Sequence, residues 1–138
     1  RRVTIARHGQ PLTELEGRAV LAPPGQHLLV RDGRTQLTRG PELHSCRPSV
    51  DVLFESVATE FGPAAVGCLL TGMGRDGAAG LLAMRRAGAA TIAQDEQTSV
   101  VYGMPREAAM LGAAQRILPL DAIGAAVSEL ATAVETGR

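Results

Sequence analysis

The stretch Leu69-Leu70-Thr71-Gly72-Met73-Gly74-Arg75-Asp76-Gly77 concentrates the residues of this sequence that could do chemistry. Gly72, Gly74 and Gly77 spell G-x-G-x-x-G directly after an apolar run. That spacing cradles a dinucleotide pyrophosphate on backbone N–H groups, and Asp95 follows at about the separation expected of a ribose-binding acid. Asp76 opposes the cofactor reading. A carboxylate ~4 Å from a phosphate costs about 4 kcal/mol at an effective dielectric near 20. Two other roles are open to Asp76. It could cap the following helix by accepting N–H bonds from Ala78 or Ala79. It could instead orient a histidine from the carboxyl end of a strand, holding the tautomer and stabilising the imidazolium.

Other reactive residues are sparse. His44-Ser45-Cys46 is a tempting cluster, since a Cys–His pair can be nucleophilic. Residues two apart on an extended chain share a side without having to touch, so a surface segment is the preferred reading. His27 in Ala22-Pro23-Pro24-Gly25-Gln26-His27 is a secondary site candidate, its rival role being to bond the turn at a hairpin start. His8, beside Gly9, reads as solvent-exposed, and Ser49 and Ser99 as local caps. Cys46 and Cys68 form no close pair, so neither a zinc site nor a redox C-x-x-C is expected, and Cys68 reads as inert core. No metal and no cofactor is called for.

The totals narrow the class. A chain of 138 residues with 45% apolar content fits one soluble globular domain spanning 1–138. Aromatic residues are only Phe54, Phe61 and Tyr102, which disfavours stacking on single-stranded nucleic acid. Formal charge is zero, so no nucleic-acid footprint is present, although every basic residue is arginine. No signal peptide or membrane-length apolar run is visible, and a cytoplasmic location is the expectation.

The elements that must position these residues fall into two halves. Residues 3–39 read as short strands: Val3–Ala6, Arg18–Ala22, then His27–Arg31 and Arg34–Thr38 around an Asp32-Gly33 hairpin turn. Ser49 caps a helix with Val50, Leu53, Phe54, Val57, Ala58 and Phe61 on one face, ended by Gly62-Pro63. Ala64–Leu70 reads as a strand buried on both faces, followed by the glycine loop and a helix over 78–87. Ala90–Ala93 is a further strand, 104–112 a short helix, and Asp121 caps a last helix with Ile123, Val127, Leu130 and Val134 inward. This alternation predicts a doubly wound α/β domain with a mostly parallel sheet and one β-hairpin, its chemistry at the carboxyl ends of the strands.

The segment from Leu69 to Ala114, beginning "LLTGMGRDGAAG" and running through "TIAQDEQTSVVYGMPREA", resembles the catalytic domain of chemotaxis protein-glutamate methylesterases. "RPSVDVLFESVA" (47–58) and "VLAPPGQHLLV" (20–30) resemble that domain's preceding segments in the same order. The resemblance implies a hydrolase of glutamate γ-methyl esters on chemoreceptor cytoplasmic domains, some members also deamidating glutamine. It implies that Asp76 is the aspartate of a Ser-His-Asp set and that the Met73 backbone N–H is an oxyanion donor. The family's G-x-S-x-G-G serine loop and its histidine are not found in this sequence, whose match starts inside the domain, at about Val3. The chain is therefore expected to lack the first strands. It should either dimerise or aggregate through an open sheet edge, or be completed by residues outside these 138. The alternatives carried forward are a non-catalytic remnant serving as an interaction module and, behind it, a dinucleotide-binding domain.

Overall fold

The computed structural model describes residues 2–135. Strands β1 (Val3–Ile5) and β2 (Ala19–Leu21) pair in parallel, joined by a crossover that contains a 3-10 turn at Leu12–Leu15. β3 (His27–Arg31) and β4 (Arg34–Thr38) form the hairpin that Asp32-Gly33 announces, with both turn residues at positive φ as a two-residue turn of this kind demands. Helix α1 (Val50–Phe61) starts at Ser49, whose Oγ accepts from the Val52 N–H. β5 (Val66–Leu69), α2 (Ala78–Arg86), β6 (Ala90–Gln94), α3 (Met104–Met110), β7 (Arg116–Leu118) and α4 (Leu120–Glu135) follow.

β5, β6 and β7 make a three-stranded parallel sheet in that order. Period-2 alternation sorts its side chains onto two layers. Leu69 and Ala93 face a cluster built with Ala78 and Leu81 of α2 and Ala108 of α3, against which Val50 and Phe54 of α1 pack. Cys68 and Ile92 face the opposite side, where Ile123, Ala126, Val127 and Leu130 of α4 close the second core. Helices on both faces of a parallel sheet are the doubly wound arrangement expected from the alternation of elements.

Four local details differ from the sequence expectation. The strand within Ala64–Leu70 is only Val66–Leu69, because Gly62–Ala64 turns as a 3-10 helix and Leu70 is exposed. Gly67 and Leu69 are fully buried, whereas Val66 and Cys68 are covered only in part. β7 is an added strand, three residues being too short for any alternation to show. Asp121 lies inside α4 and does not cap it. The helix begins at Leu120, whose N–H is taken by the Thr98 hydroxyl at 3.0 Å.

Candidate active site

The chain leaves β5 at Leu69 and runs through residues 70–77 before entering α2. Six hydrogen bonds hold this loop to the end of β6 and to the segment that follows it. Thr71 N–H donates to the buried Gln94 Oε1 at 2.8 Å. The Thr71 hydroxyl donates to Val101 O and accepts from Val101 N–H, at 3.0 and 2.8 Å. Gly72 N–H donates to Val101 O, and Gly72 O accepts from the N–H groups of Gly103 and Met104. A Cβ at Gly72 would run into the Met104 sulfur, so any side chain there displaces the Met104 thioether.

Asp76 is 4% exposed at the end of this loop. Its Oδ1 accepts from the Ser49 hydroxyl at 2.7 Å and from Asp51 N–H at 3.1 Å, while Oδ2 accepts from Val50 N–H at 2.7 Å. The carboxylate thus sits on the first turn of α1, where the exposed N–H groups and the helix dipole favour a negative charge. It does not cap α2, its own following helix. That place belongs to Asp51, whose Oδ1 accepts from the N–H groups of Gly77 and Gly80 at 3.0 and 2.6 Å. Each of the two packed helices is capped by an aspartate from the segment of the other. Gly77 makes the crossing feasible. It has φ +98°, and a Cβ there would lie 2.7 Å from Leu69 Cδ1 and 2.9 Å from Val50 Cγ1.

The exchange of caps disposes of the cofactor reading. The Gly77 and Gly80 N–H groups at the start of α2, where a pyrophosphate would lie, are filled by the Asp51 carboxylate, and Asp95 spends Oδ1 on the N–H and hydroxyl of Thr98 in a local turn. Among the described residues no cluster of His, Cys, Asp and Glu has the makings of a metal site.

A carboxylate has about four acceptor positions. Three on Asp76 are filled, and the fourth, on Oδ2, is left for one more donor. No histidine of this chain supplies it. His27 is buried and donates Nε2–H to Pro41 O at 2.8 Å while its Nδ1 accepts from Ser49 N–H at 3.1 Å. Both of its nitrogens are spent on holding the hairpin to the segment that leads from β4 into α1. His8 accepts from Leu37 N–H. His44 reaches Asp51 Oδ2 at 3.1 Å through Nε2 and accepts from Arg75 Nε at 3.0 Å through Nδ1. A hollow of about 140 Å³ lined by Leu28, Pro48, Ser49 and Val50, among others, opens beside the residues that bond Asp76.

Met73 is 83% exposed, and its N–H donates to no acceptor among the described residues. Cys46 is not a primed nucleophile. Partial burial raises its pKa, the carboxylates of Asp76, Glu42 and Asp51 act in the same direction, and its Sγ bonds to His44 O. Burial likewise raises the pKa of Cys68. The residue missed from sequence is Asp51. It reads there as an ordinary first-turn acid, and its burial among groups 26 and 29 positions away leaves no local mark.

The structure is thus a doubly wound α/β domain with a buried aspartate, set on a hydrogen-bonded loop at a strand's carboxyl end, that caps a neighbouring helix. The particular family follows from comparison with known proteins. A family profile described as CheB methylesterase matches residues 1–127. The chain is 55% identical over 114 residues to protein-glutamate methylesterase FrzG of Myxococcus xanthus, covering 82% of this chain and 34% of that protein. It is 50% identical over 128 residues to a protein-glutamate methylesterase/protein-glutamine glutaminase of Anaeromyxobacter dehalogenans, covering 93% and 37%. The crystal structure of the Thermotoga maritima CheB methylesterase catalytic domain superposes with a TM-score of 0.81 at 30% identity, over 91% of this chain and 67% of that one. The chain belongs to the CheB methylesterase family, and it spans about a third of the length of the curated relatives it matches.

Proposed function

We propose that residues 1–138 are the C-terminal portion of a methylesterase catalytic domain that hydrolyses glutamate γ-methyl esters on chemoreceptor cytoplasmic domains. The same acyl-transfer chemistry extends to deamidation of glutamine, as the glutaminase names of its relatives suggest. The working compartment is the cytoplasm, where those receptor segments lie. No helix among the described residues is long and apolar enough to cross a membrane.

In this reading a serine hydroxyl attacks the ester carbonyl and a histidine takes its proton. Asp76 Oδ2 accepts the other ring N–H, fixing the tautomer and stabilising the imidazolium. The Met73 N–H donates to the oxyanion, held in place beforehand by the Thr71–Val101 and Gly72–Met104 bonds. Methanol leaves, and water then releases the free glutamate carboxylate. The serine and the histidine come from outside residues 1–138. The observation that carries the proposal is the single acceptor position left on a buried, otherwise satisfied Asp76 carboxylate.

The second reading is a remnant that binds the receptor without hydrolysing it. It draws on the fact that all three histidines of the chain are engaged elsewhere. Methanol release from methylated receptor, measured with the gene product that contains this chain, separates the two. The esterase turns over and loses about 10⁴-fold in kcat on Asp76→Asn. Unchanged turnover in that variant removes Asp76 from the mechanism. Receptor binding without methanol from the unmutated protein selects the remnant.

A further inference from the structure

The loop that carries Asp76 and the loop paired with it expose large apolar side chains. Met73 is 83% exposed and Val100 90% exposed, with Leu70 and Val101 also open to solvent. Exposed side chains of this kind usually sit on loose loops, where their exposure carries little meaning. Here the backbone beneath them is tied down. The Gly72–Tyr102 bridge, the two Thr71–Val101 hydrogen bonds and the Gly72 carbonyl's two donors zip residues 71–72 to residues 101–104, and Leu70, Met73 and Val100 flank that zip. Gln94 anchors both loops from below, accepting from Thr71 N–H and donating to Thr98 O at 2.8 Å each. The loops therefore present a rigid apolar ridge. Ordering it for a partner costs little conformational entropy, because the chain is already fixed.

We propose that this ridge is the docking surface for the substrate polypeptide, with Val100 and the Met73 side chain reading the residues that flank the esterified glutamate. The inference rests on the esterase reading above and deepens it. The occupant follows from continuity with the site. An ester carbonyl bonded to the Met73 N–H lies about 3 Å from that nitrogen. The chain bearing the ester must then pass within a side chain's length of the Met73 thioether and of the loop zipped to it. An apolar strip on the substrate gains by covering these side chains, since burying exposed apolar area is favourable. The Met73 thioether suits substrates of varied local sequence because methionine adapts its shape, and Val100 adds a stiff apolar contact.

The test compares two substrates with the gene product that contains this chain: intact methylated receptor, and a capped single-residue glutamate γ-methyl ester that has no flanking chain. Val100 is almost wholly exposed, so Val100→Ser leaves the thermal midpoint in place, which circular dichroism checks. The expected result is a rise of about tenfold in KM for the receptor with kcat preserved, and no change in kcat/KM for the small ester. An unchanged receptor KM overturns the docking role, as does an equal loss on both substrates. A gain on both substrates also overturns it, because the ridge would then be covered by another segment of the same protein. If the unmutated protein releases no methanol from either substrate, the esterase reading fails first and this inference falls with it.

Discussion

Asp76→Asn should weaken the fold as well as the chemistry, and the structure sets the size of the effect. The carboxylate accepts three hydrogen bonds, two on Oδ1 and one on Oδ2, all at or beside the first turn of α1. An asparagine can keep the Ser49 and Asp51 bonds on its one oxygen. Its amide group then meets the Val50 N–H as donor against donor. The loss is one charge-assisted hydrogen bond, about 1.5–3 kcal/mol. Removing the negative charge from the helix N-terminus adds about 0.5–1 kcal/mol. The sum, about 2–4 kcal/mol, is a sizeable part of the roughly 5–15 kcal/mol that holds a domain together. Urea titration followed by far-ultraviolet circular dichroism measures it. With a slope of ~2 kcal/mol per molar urea, the midpoint should fall by about 1–2 M. An unchanged midpoint would refute the capping geometry, even if turnover were abolished. The measurement also guards the enzymology, because lost methanol release means loss of the imidazole partner only where the variant is shown to be folded.

Two further outcomes follow from the same packing. Gly80→Ala places a Cβ 2.7 Å from Phe54 Cβ and 3.0 Å from Asp51 Cα, atoms that cannot swing aside. Overpacking of about 1–3 kcal/mol should outweigh the gain of about 1 kcal/mol in helix propensity, so the thermal midpoint drops by several degrees; a rise would show that α1 and α2 yield at their crossing. Both thiols have raised pKa values, so at pH 8 each should react with a disulfide reagent more slowly than free cysteine. The folded state then holds its thiol protons more tightly than the unfolded chain. The corresponding stability is intact below the ordinary thiol value of 9.0 and fades as pH climbs through the folded value. Replacing Cys68 with alanine should flatten that alkaline decline in urea midpoint, and an unaltered decline would rule the residue out as its source.

Much of this protein is legible in one dimension because its signals are local. The Asp32-Gly33 hairpin, the Ser49 cap, the helix after Gly77 and the alternation of strand and helix depend on neighbours a few residues apart, where propensity and turn chemistry act directly. The glycine loop and its aspartate were likewise visible as a pattern, and the motif resemblance pointed to the family that the comparisons support. What Asp76 touches was beyond that reach. Its own helix offered the nearest N–H groups, yet the packing of α1 across α2 exchanged the partners, giving Asp76 to α1 and Asp51 to α2. Such an exchange depends on which helix ends the core brings together, and core formation acts between residues 25 or more positions apart. The same long-range packing spent both nitrogens of His27 on structure and drew Arg75 to His44. Residue type states which bonds a side chain is able to make. Only the closed fold, by burying some groups and leaving others open, decides which of those bonds are made.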